Sequence, residues 1–148
     1  MVLRDRLILS VQRLIGSAPE VEEAIIVEQK TTFWPDVGAL AATMVVLGVF
    51  TDMAPAAVAL IGALVALTVL VVRRRYFIVA GAGDRLIICR STKFNPAAAE
   101  VTISLPRTTP IRWVESAIVD IIEIDGRRYG MSRAFRSRLD TIGERRVG

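Results

Sequence analysis

Apolar positions in the opening stretch VLRDRLILSVQRLIG recur at helical spacing. Leu3, Leu7, Ile8, Val11, Leu14 and Ile15 form one stripe, with Asp5, Arg6, Gln12 and Arg13 on the other side. Such a helix suits a membrane surface or the flank of a folded domain, and both readings stand at this point. Gln12 and Arg13 interrupt any signal-peptide core, so no cleavage is expected. Next comes SAPEVEEAIIVEQK, a Pro-containing acidic turn leading into a short apolar run with strand character.

The pattern then changes. From Val37 to Val72 the only ionisable residue is Asp52. Its setting, TDMAP, reads as a turn followed by a helix start and divides the run in two. APAAVALIGALVALTVLVV is long enough as a helix to cross a hydrocarbon core of about 30 Å. VGALAATMVVLGVF is shorter and reaches that length only if Phe33, Trp34 and Pro35 supply an interfacial end. The expectation is a two-helix transmembrane hairpin over residues 33–72, preferred over two helices buried in a soluble core. Gly38, Ala42, Ala59, Gly62, Ala63 and Ala66 would let the helices approach closely, and they leave a homo-oligomer open. Asp36 and Asp52 each stand at a helix start, where a carboxylate caps amides; neither reads as a proton relay.

Arg73, Arg74 and Arg75 follow directly, as a stop-transfer cluster would. Arg4, Arg6, Arg13 and Lys30 precede the run, and the turn between its halves carries no positive charge. A multi-pass protein of the cytoplasmic membrane with both termini cytoplasmic is therefore expected.

Beyond Arg75 the runs become short. YFIVA and RLIICR are strand-like, joined by GAGD as a turn. VAGAGD is not a dinucleotide loop: the third glycine position is Leu86, and no helix follows to hold a pyrophosphate. Cys89 falls within an apolar strand as a small core residue. STKFNPAAAE is a loop. EVTISL alternates, with Val101, Ile103 and Leu105 on one face, and PRTTP is a break. IRWVESAIVDIIEIDG fits either period; strands are preferred because Asp125–Gly126 marks a hairpin turn. Ser132 can cap a last helix, RAFRSRLDTI, that buries Phe135, Leu139 and Ile142 and stops at Gly143.

YFIVAGAGDRLIICR and IDGRRYGMSRAFRSRL, in that order after an apolar hairpin, resemble the opening hairpin, last hairpin and closing helix of bacterial pleckstrin-homology-like domains. The closest likeness is to small actinobacterial or actinophage membrane proteins of this type. The resemblance covers about the last half of the chain and carries no catalytic residues. It implies an α+β membrane protein with a small antiparallel β-rich cytosolic domain closed by a C-terminal helix, and a role in interaction or scaffolding. The segment is short for a seven-stranded barrel, so one strand is missing or comes from residues 24–32. The organisation expected is an amphipathic segment over 1–32, the hairpin over 33–72 and the β domain over 73–148.

Composition narrows the function. The 148 residues are 53% hydrophobic with mean hydropathy +0.48 and net charge +4; there is no histidine and one cysteine. The usual neutral-pH acid/base group is absent, as are an intramolecular disulfide and a thiolate metal cluster. No catalytic triad or phosphate loop appears. No enzyme, cofactor or metal is expected. Arg127, Arg128, Arg133, Arg136 and Arg138 crowd the last turn and helix. They are candidates for contact with anionic lipid headgroups or a membrane-protein partner, against the plainer reading of a solvated face. Nucleic acid is not expected, since no stacking aromatics accompany them. The resulting reading is a non-enzymatic membrane adaptor, scaffold or accessory subunit. The alternative is an oligomeric pore or holin-like protein acting through its hairpin.

Overall fold

A computed structural model describes residues 2–29, 34–50, 54–92, 96–114, 119–143 and 145–147. The chain forms two compact units. One joins Met1–Lys30 to Arg75–Gly148; the other is the apolar insertion Thr31–Arg74.

The sheet unit is built on eight strands: β1 (Val21–Gln29), β2 (Tyr76–Ala82), β3 (Arg85–Ser91), β4 (Ala98–Pro106), β5 (Ile111–Val114), β6 (Asp120–Ile124), β7 (Arg127–Met131) and β8 (Arg145–Val147). They lie in the order β4-β3-β2-β1-β7-β6-β5-β8. Every neighbouring pair is antiparallel except β5 with β8. Two helices pack on it, α1 (Leu3–Ile15) and α4 (Arg136–Ile142), the latter preceded by a 3-10 turn at Arg133–Phe135.

The continuous apolar runs of β2 and β3 follow from burial on both faces. Ile25, Val27, Phe77, Val79, Leu86 and Ile88 point into the main core, which they share with Ile111, Ile122, Ile124, Tyr129, Met131, Leu139 and Ile142. The alternate residues Ala24, Ile78, Ala80, Ala82, Ile87 and Cys89 face the other way, onto Leu7 and Val11 of α1. Neither Leu7 nor Val11 is exposed to any extent. Of the two readings of the first helix, packing on the domain is the one that forms. Arg4 reinforces it by donating to the nearly buried Glu23 carboxylate at 3.0 and 3.1 Å.

Turn chemistry sets the registers. Gly83–Asp84 joins β2 to β3. Asp125 and Gly126 join β6 to β7 with φ of +50° and +72°, the paired left-handed conformations of a type I′ turn that matches strand twist. Arg107 fastens the opposite end. Its guanidinium donates to both Glu22 carboxylate oxygens at 2.8 and 2.6 Å, to the Gly83 carbonyl at 2.7 Å and to the Thr141 carbonyl at the end of α4.

One expectation is corrected here. The two-helix transmembrane hairpin does not appear. The insertion contains α2 (Trp34–Phe50) and α3 (Pro55–Arg73), and among the described residues only α3 has a stretch, Pro55–Val72, long and apolar enough to cross a membrane. The apolar part of α2 is confined to Gly38–Val49. At ~1.5 Å per residue it covers roughly 18 Å of a core about 30 Å thick. The sheet unit draws on both flanks of the apolar region, and the strand left open for residues 24–32 forms as β1. Residues 1–32, read as a separate amphipathic segment, contribute α1 and β1, and β1 lies between β2 and β7 inside the sheet. A strand distant in sequence is recruited because the apolar face of β2 needs a neighbour on each side. The TDMAP turn at residues 51–53, Lys30, Phe33 and residues 115–118 lie outside the described residues, as do the side chains of Trp34, Pro35, Asp36 and Arg73.

Gly81 sits where α4 ends: a Cβ there would meet the Ile142 carbonyl oxygen at 2.9 Å and its Cα at 3.1 Å. These are backbone atoms with no rotamer to yield. Gly81→Ala is expected to cost about 1–3 kcal/mol by overpacking, read as a lowered urea midpoint. Gly126, with nothing within 4 Å, tests a different cause. Its replacement by alanine strains the positive φ alone, at about 1–2 kcal/mol.

Candidate functional site

The candidate arginines are placed by the last hairpin and the helix after it. Ser132 is extended, and its hydroxyl accepts the Ala134 N–H at 3.4 Å, which starts the 3-10 turn that leads into α4. Arg133 and Arg136, three residues apart, thereby fall on one side of this helical segment. Both turn toward Asp120, the first residue of β6, whose side chain is 0% exposed.

Arg136 grips that carboxylate with two donors, Nε to Oδ2 and Nη2 to Oδ1, the second at 2.7 Å. Arg133 stands 3.9 Å away, and the Arg136 guanidinium lies 4.8 Å over the Trp113 ring. A buried acid needs this compensation, because desolvation alone would drive it neutral. The Arg136 hydrogen bond outweighs desolvation and, with the charges of Arg136 and Arg133, holds Asp120 below the usual carboxylate range.

The remaining arginines are held by closer neighbours. Arg128 donates to Glu123 across the β6–β7 pair at 3.3 Å, and Arg138 lies 5.5 Å over Phe135. Arg127 is exposed at the start of β7, and burial pushes the Tyr129 hydroxyl toward its neutral form. The five residues do not act as one set: half-exposed Arg133 and partly buried Arg136 engage the buried Asp120 carboxylate, while Arg127 and Arg128 lie on the preceding hairpin. Asp120 escaped the sequence reading. Its signal was an acid inside the apolar run IVDIIEI, followed by two arginines one helical turn apart.

Of the topology cluster, Arg74 and Arg75 are exposed. The Arg75 carbonyl accepts the Gln29 N–H at 2.9 Å, so the chain leaves and re-enters the sheet at one point. Between those ends lies most of the exposed apolar surface. Val45, Val49, Leu60, Leu64, Leu67 and Val72 are each more than half exposed, and only 6% of the Pro55–Val72 stretch is buried. Within the insertion, Gly62 is buried against Met44, where a Cβ would meet the Met44 side chain at 2.8 Å.

The groups that can do chemistry are few. Burial pushes the Cys89 thiol up to about 11, which removes its thiolate at neutral pH. Among the described residues no cluster of three or more His, Cys, Asp or Glu side chains could hold a metal. No known protein family, curated protein or solved structure matches this chain.

Asp120 sets an acid limit on the fold. Its folded pKa lies below its unfolded value, so its contribution is complete above the ordinary carboxylate pKa of about 4. That contribution is lost as pH falls through the depressed folded value. Asp120→Asn should lower stability at neutral pH by about 1–3 kcal/mol and flatten the acid limb. Urea unfolding of both proteins between neutral and strongly acid pH checks this.

Proposed function

We propose that this chain is a non-enzymatic membrane-associated adaptor or accessory subunit, in which the apolar insertion associates with a bilayer and the sheet unit serves in binding. The observation that carries this reading is the insertion's large apolar side chains, which face outward instead of filling a core. Exposed large apolar side chains in such number are stable among lipid tails and costly in water.

The sheet restricts how the insertion can enter. Residues on both sides of it are neighbouring strands, which supports a reading in which both flanks lie on the same side of the membrane. Arg74 and Arg75 at its exit favour the cytoplasmic side, where basic flanks are retained. The chemistry supports a role in binding: there is no histidine, the one thiol is kept protonated, and Asp120 is engaged by arginine.

The full-length chain should float with membranes and resist alkaline carbonate. Release into the supernatant, or a monodisperse species without detergent, would overturn the reading. Leu64→Arg with Leu67→Arg should shift the protein out of the membrane fraction, since an arginine deep in hydrocarbon costs about 2.5–3.5 kcal/mol.

A further inference from the structure

Outside the insertion, large exposed hydrophobic side chains are concentrated in one place. Among the described residues of the sheet unit six are of this kind, and four of them, Val2, Leu3, Leu9 and Leu14, belong to α1 or its N-cap. Leu3 and Leu14 flank the docked stripe of Leu7 and Val11, whereas Val2 and Leu9 lie on the opposite side and are surplus to docking. They are interleaved with charge of one predominant sign. Val2, Arg6, Leu9 and Arg13 follow one another at spacings of four, three and four, along a single stripe opposite the docked face. Arg6 and Arg13 are exposed, whereas Arg4 turns toward Glu23; Asp5 is the one acid on the helix.

We infer that the outward face of α1 is a second membrane contact, lying in the plane of an anionic bilayer surface. Leu9 and Val2 would enter the headgroup boundary, and Arg6 and Arg13 would meet lipid phosphates. The pattern fits lipid better than a protein groove. Alternating apolar and arginine positions along the stripe Val2, Arg6, Leu9 and Arg13 place an apolar body and a cationic head at the two depths of the interface, where long basic side chains reach outward. The inference rests on the membrane reading of the chain.

Spin-labelling of a Leu9→Cys variant of the full chain tests it. The buried Cys89 stays unlabelled, and a label on an Asp84→Cys variant, in the exposed β2–β3 turn, gives the water-facing reference. The variants are reconstituted in vesicles of phosphatidylcholine with phosphatidylglycerol, and in phosphatidylcholine alone. In the anionic vesicles the Leu9 label should gain collisions with oxygen and lose them with a water-soluble nickel chelate, relative to the Asp84 label. The protection should weaken in phosphatidylcholine alone. Arg6→Gln and Arg13→Gln should each reduce the membrane-bound population of α1 by about fivefold. A Leu9 label as accessible to nickel as the reference, on a chain that still resists carbonate, overturns the inference and leaves the membrane reading standing. Protection from both collision partners, which a second copy or a protein on α1 would give, also overturns it. A chain that carbonate strips from the vesicles overturns both.

Discussion

The pairing of β1 with β2 governs the rest of this structure. These strands are separated in sequence by the whole apolar insertion, yet they run antiparallel from Val21↔Ala82 to Glu28↔Tyr76. Closing so long a loop costs conformational entropy, though the cost grows only slowly with length. It is offset by a strand interface buried on both faces. The chain therefore leaves the sheet after Gln29 and rejoins it at Tyr76, with the whole insertion between two paired strands.

The same strands explain how a small domain reaches stability. β1, β2 and β3 carry alternate side chains into two apolar layers, one completed by β5–β7 and α4, the other by α1. Each fully buried leucine or isoleucine contributes about 1.5–3 kcal/mol. The sheet edges are treated differently. β4 is an edge strand, and its register slips twice: Thr102 and Ala99 have no partner position opposite them in β3. Such bulges twist an edge away from further pairing, which otherwise invites association. The other edge ends in the short parallel strand β8.

Arginine serves two roles that the sequence does not distinguish by type. Arg133 and Arg136 look like members of a basic surface when counted along α4, but a buried carboxylate on β6 engages both. Arg107, in a loop read only as a break, ties three segments through a planar fork that lysine could not reproduce. Arg6 and Arg13, on a helix whose inner face is spoken for, remain directed outward.

The local rules read from sequence hold where the cause is local. The β2–β3 turn, the Asp125–Gly126 turn, the strands on either side of residues 115–118, the Ser132 cap and the buried Cys89 follow from backbone preference and short-range periodicity. The long uncharged insertion was equally legible as composition, because hydropathy is additive along a chain. Whether both halves could span was not, since spanning depends on the length of each helix and the first is short. Nor could periodicity choose what α1 packs against, place β1 beside β2, or find the partner of Asp120. Those are contacts between residues far apart in sequence. They are selected by which apolar faces and which opposite charges the closed sheet brings together, so only the tertiary structure decides them.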